Sequence, residues 1–233
     1  MLNQQTFHNA IAKVNKDGFS TINLKKIFPA NLGRDLFDAM DRVDFHSSRA
    51  DYYNEVCLHW PEDWKDVPNG LAAFHDSDHL AQILSNEDAK KLLQENLGAK
   101  LTRSIFNFTE KIKNLIMRTH HGLPNNELRL SRLMIRQMGP TQTTTHGTAD
   151  LHEDLGYEHR PYQQLLSAVL TTYGAPTIAP RHPCQIGELL IFNAFDRRRI
   201  LGLPETQAFV HKGPKSGPKL LFFFEFLGPQ DLL

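Results

Sequence analysis

The stretch Lys219–Leu227, KLLFFFEFL, is apolar at both alternating sets of positions: Leu220, Phe222, Phe224 and Phe226 on one face of a strand, Leu221, Phe223 and Leu227 on the other. A strand of this kind has no solvated side and must be covered twice. A sheet that faces a second sheet on one side and helices on the other meets that need, and the N-terminal half of the chain is the source of the helices.

Working backwards from this strand, the β texture persists as far as Leu128. TQAFVH, which ends at His211, and GELLIFNAF before it read as strands. LLSAVLTTY ends at Gly174, and LRLSRLMIRQM, from Leu128 to Met138, alternates until Gly139-Pro140 stops it. N-terminal to Leu128 the period changes. Ile105, Phe106, Phe108, Ile112, Ile116 and Met117 mark an amphipathic helix over Thr102–His120, stopped by Gly122 and Pro124, and a further helix covers His79–Leu101. Asn31–Val43 places Leu32, Leu36, Met40 and Val43 at helical spacing, with Asn31 as the cap. A shorter helix over Thr6–Asn15 leads through Gly18 into the strand DGFSTINL, and Asp44–Asp78 reads as loops with short elements. The expectation is an α+β, mainly β chain forming a single domain over 1–233, largely helical over 1–127, with a sandwich or barrel core over 128–227.

Lys plus Arg and Asp plus Glu each number 26, so the net charge is zero and gives no drive toward nucleic acid or a membrane surface. No apolar run is long enough to span a bilayer, and MLNQQTFHNAIAK lacks the order of a secretory signal. Cys57 and Cys184 make no disulfide framework or zinc spacing and read as buried or incidental thiols of a reducing, cytoplasmic compartment.

The chemistry centres on Leu151–Asp154, LHED, the only His-x-Asp triplet among twelve histidines. His152 and Asp154, two positions apart in an extended segment or tight turn, can reach one cation, and the third ligand best placed to join them is the distant His211. Two histidines and one carboxylate on one face of a metal leave three positions free, the facial arrangement of non-haem Fe(II) sites. FHDSDH, from Phe74 to His79, instead reads as a helix-capping or solvated turn before LAQIL. His146 and His159 read as loop or supporting histidines, and Arg197, Arg198 and Arg199 as solvated charges in a lid-like insert.

Taken in order, His152 and Asp154 after a core strand, LLSAVLTTY, GELLIF and His211 in FVHKGP resemble the Fe(II)/2-oxoglutarate-dependent oxygenase superfamily over Leu128–Leu227. The resemblance implies a double-stranded β-helix, or jelly-roll, with the N-terminal helices packed on one sheet. It also implies His152, Asp154 and His211 as iron ligands, 2-oxoglutarate and dioxygen as cosubstrates, and a basic residue opening the last core strand to pair with the remote carboxylate of 2-oxoglutarate. Lys219 stands there, with Arg132 and Arg136 in reserve on the strand before the triplet. The presence of Asp154, where related halogenases carry a small residue, favours hydroxylation or a related oxidation of a small molecule. Gln137, Tyr173 and Asn193 are the expected substrate contacts. Two other readings share the fold: a cupin-like metal enzyme that does not use 2-oxoglutarate, and a jelly-roll binding protein without turnover. Oligomeric state and substrate identity are not encoded in any motif.

Overall fold

The computed structural model describes residues 4–28, 31–43, 54–59, 86–119, 129–140, 158–159, 162–179, 182–193, 211–213 and 216–229. Helix α1 (Gln4–Asp17) buries Phe7, Ala10, Ile11 and Val14 along one stripe and turns at Gly18 into β1 (Phe19–Asn23). Helix α2 (Leu32–Met40) buries the expected Leu32, Leu36 and Met40. Asn31 holds the expected N-cap position, its carbonyl accepting from the Asp35 N–H at 2.8 Å, but it lies in the right-handed helical region and its side chain makes no capping bond. Strand β2 (Asn54–His59) falls inside the segment expected to be loops with short elements.

Helices α3 (Asn86–Leu97) and α4 (Ala99–Thr119) divide at Gly98, earlier than the expected break at Leu101. Gly98 sits at φ 81°, a conformation open to glycine, and its N–H donates to the carbonyl of Gln94, ending the first helix as the second begins. Ile105, Phe108, Ile112 and Ile116 are buried along α4, as its period required. No helix among the described residues is long and apolar enough to cross a membrane.

The remaining strands are β3 (Arg129–Met138), β4 (Glu158–His159), β5 (Tyr162–Gly174), β6 (Ile178–Ala179), β7 (His182–Pro183), β8 (Glu188–Asn193) and β9 (Lys219–Pro229). They build a seven-stranded antiparallel sheet of order β1-β8-β5-β9-β3-β2, with β4 paired to β5, and a separate β6-β7 ribbon. The doubly apolar β9 lies between β5 and β3, away from both edges.

Its two faces are both buried. Leu220, Phe222, Phe224 and Phe226 join Leu133, Ile135, Ala168, Leu170, Leu189 and Ile191 beneath the helices, where Phe222 meets Phe28 and Phe108 edge-on at 6.1 and 5.7 Å. Leu221 and Phe223 join Met134, Val169, Leu190, Phe192 and Cys184 on the second face. Cys184 follows the β6-β7 ribbon, so the ribbon packs on that face. Ile178 of the ribbon also bridges to Lys212, which brings the His211 segment to the same side.

Candidate active site

The pleat sorts the functional residues into two sets. On β9, Lys219 alternates with Leu221 and Phe223 and so belongs to the second face. It opens the strand, paired with Met138 on β3 and Gly174 on β5. Its side chain is only 2 % exposed, and burial, with the Arg136 guanidinium adding to it, pushes its pKa from 10.5 down to about 7.

Arg136 shares this face. Its guanidinium lies 5.7 Å above the Phe223 ring and donates to the Met134 sulfur at 3.3 Å. Arg132, four residues before Arg136 on β3, is registered opposite Glu225, but its side chain lies outside the described residues. His211 is also buried here, its ring 5.0 Å from that of Phe192. Lys219, Arg136 and His211 therefore share one face of the sheet.

His152 and Asp154 lie outside the described residues. Among the described residues no three His, Cys, Asp or Glu side chains converge. The donor chemistry at the described position fits a metal ligand, since the buried His211 imidazole beside the Phe192 ring is a nitrogen donor shielded from water.

Gln137, Tyr173 and Asn193, expected as substrate contacts, all lie on the helix-covered face. The Gln137 amide donates to the Asp41 carboxylate just beyond α2 at 2.9 Å, and the Asn193 amide donates to the Val14 carbonyl of α1 at 3.3 Å. Tyr173 packs on Phe37 at 4.7 Å. A register shift on β5 between Thr171 and Tyr173 causes this: the extra residue re-aims Tyr173 away from the face of Thr171 and toward the helices. All three tie helices to the sheet and stand across it from Lys219.

Sequence reasoning passed over two polar groups on the second face. Glu225 is buried, registered with Ser167 on β5, itself fully buried. The signal was present, since Glu225 is the sole acid in KLLFFFEFL. The second is Glu188, whose carboxylate holds His182 at 3.3 Å and accepts from the Gln185 N–H at 3.0 Å, fixing the turn into β8. Beside it, burial and then Glu188 push the Cys184 thiol up to about 11, which leaves it protonated and unreactive at neutral pH.

No family model and no curated protein matches the sequence. Solved structures it resembles include 2-oxoglutarate- and Fe(II)-dependent enzymes. One is the viral collagen prolyl hydroxylase of Paramecium Bursaria Chlorella virus-1 in complex with 2-oxoglutarate, at 11% identity and a TM-score of 0.46 over 92% of this chain and 98% of that one. Another is a 2-oxoglutarate and Fe(II) oxygenase-family oxidoreductase from Burkholderia pseudomallei, at 9% identity and 0.44 over 98% and 92%. A third is the epimerase SnoN with Fe3+, α-ketoglutarate and a nogalamycin compound, at 11% identity and 0.49 over 97% and 85%.

Proposed function

We propose that the protein is a non-haem Fe(II)- and 2-oxoglutarate-dependent oxygenase that hydroxylates or otherwise oxidises a small molecule, within a jelly-roll core. The observation that carries this reading is Lys219: an ammonium group 2 % exposed, on an interior sheet face, at the start of the strand that follows His211. Burial and Arg136 both disfavour its charge. A carboxylate brought to this position reverses that balance, because charge-assisted pairing in a shielded site is worth more than in water.

His211, with His152 and Asp154, would hold the metal, and Lys219 the remote carboxylate of 2-oxoglutarate. Arg136 adds positive potential beside Lys219, while Leu221, next along the same face of β9, keeps water from the anion. Fe(II) held there would supply the activation of dioxygen, with 2-oxoglutarate as the two-electron reductant released as succinate and CO2.

The test is anaerobic addition of Fe(II) and 2-oxoglutarate, followed in the visible for their charge-transfer band, and then aerobic release of succinate. A band followed by succinate supports the reading. Metal binding without the band points to a cupin-like enzyme that dispenses with 2-oxoglutarate, and neither signal reduces the protein to a binding module.

A further inference from the structure

The segment that carries His211 is tied to the fold through the β6-β7 ribbon. Ile178 and Lys212 exchange backbone hydrogen bonds, the N–H of each donating to the carbonyl of the other at 2.8 Å. Ile178 pairs in turn with Pro183, and Ala179 with His182. Strands of two residues are too short to hold their own register, and Ile178 is 43 % exposed, so apolar burial of the bridging residue does not fix it either.

The hold comes from the other strand of the ribbon. His182 directs Nε2 at both carboxylate oxygens of Glu188, at 3.4 and 3.3 Å, with the Phe19 ring beside its own at 6.3 Å. Glu188 opens β8, a strand paired on both sides, with β1 and with β5, and its carboxylate also accepts from the Gln185 N–H at 3.0 Å. Cys184, two residues after His182, is buried in the cluster that contains Phe192. A continuous path thus leads from the sheet through Glu188 and His182 to Ala179 and Ile178, and from there to Lys212 and its chain neighbour His211.

We propose that His182 is a positioning residue for His211: its bond to Glu188 keeps the ribbon where Ile178 pairs with Lys212, and so sets the His211 imidazole against Phe192. His182 itself touches no reacting atom. A ligand residue whose segment is ordered in only a fraction of the molecules binds its metal more weakly by that fraction, so a loosened ribbon is read as lost affinity. That His211 holds iron rests on the function proposed above, whereas the ordering of its segment by His182 does not.

Backbone hydrogen exchange of the metal-free protein tests the ordering directly, read at the Ile178 and Lys212 amides with those of Leu221 and Phe222 on β9 as reference. His182→Ala should speed exchange at the first two by about threefold to tenfold, the worth of one hydrogen bond, and leave β9 unchanged. His182→Gln, whose amide can still donate to Glu188, should restore the protection. Anaerobic Fe(II) titration should then show affinity lowered by a similar factor in His182→Ala and recovered in His182→Gln. Unchanged protection of Lys212 in His182→Ala overturns the proposal, and so does an equal loss at Lys212 and along β9, which a merely stabilising residue would give. If His182→Ala fails to fold, Glu188→Gln, which keeps an acceptor for the Gln185 N–H and removes the charge facing His182, takes its place and should loosen the same two amides. Faster exchange at Lys212 in a protein that binds no Fe(II) removes the oxygenase reading alone, whereas Fe(II) binding equal in wild type and His182→Ala removes this inference alone.

Discussion

Burial of Lys219, with Arg136 adding to it, costs the folded protein stability. In the unfolded chain its amine keeps a proton up to about 10.5, whereas in the folded chain it releases it near 7, so between those values the unfolded state binds more protons. Stability should therefore rise with pH from about 7 to 10.5, and the full penalty, on the order of 5 kcal/mol, applies below that window. Lys219→Met, which keeps an apolar stem of similar length, should flatten this rise and increase the melting temperature at pH 6 to 7. The same substitution, or Lys219→Ala, should weaken 2-oxoglutarate binding at least about a hundredfold in a titration, with iron affinity little changed. Binding to the wild type should weaken as pH climbs past 7, because the ammonium that grips the carboxylate is then lost. If Lys219→Ala binds normally and Arg136→Ala does not, the anchor belongs to β3. His211→Ala should abolish iron retention and leave the circular dichroism spectrum intact, since the residue sits beside Phe192 on the second face and outside the core packed under the helices.

Two of the contacts between helices and sheet each make a prediction for their element. Phe222, fully buried on the central strand, is gripped by Phe28 and Phe108, so Phe222→Ala should lower stability by about 3–5 kcal/mol in a denaturant titration, and Phe222→Leu by less. Gly33 in α2 lies against the backbone carbonyl of Thr172, where an added Cβ would overlap it. Gly33→Ala raises helix propensity yet should destabilise by about 1–3 kcal/mol, because α2 has to lift from β5. A stabilised Gly33→Ala would mean that the helix does not dock where Thr172 and the Phe37–Tyr173 contact put it.

For the molecule as a whole, helices fill one face of the sheet with packing, and Lys219, Arg136 and His211 lie on the other. A ligand that binds only the folded protein adds roughly 2.7 kcal/mol at a hundredfold excess over its Kd, worth about 5–10 °C in a chain of this size. Anaerobic Fe(II) with 2-oxoglutarate should produce such a rise in Tm in the wild type and none in His211→Ala. A rise of the same size in both proteins would place the metal elsewhere.

Short-range pattern was enough for the sequence to determine the principal elements. Runs bounded by Gly and Pro marked β3, β5, β8 and β9, helical spacing marked α2 and α4, and the apolar character of both faces of β9 required its cover. The family resemblance, rather than local pattern, named Lys219 as the basic residue opening the last strand, and it lies buried there. Alternation does not say which face of a strand meets helices, nor where a bulge reverses it. Tertiary packing therefore decided that Tyr173 turns toward Phe37, that Gln137 and Asn193 spend their amides on Asp41 and Val14, and that Gly33 is needed for close approach rather than for its helix. It also decided the neighbours of Glu225, because cross-strand rows join residues far apart in the chain, Phe192, Ser167 and Glu225 among them, through a register no local pattern contains.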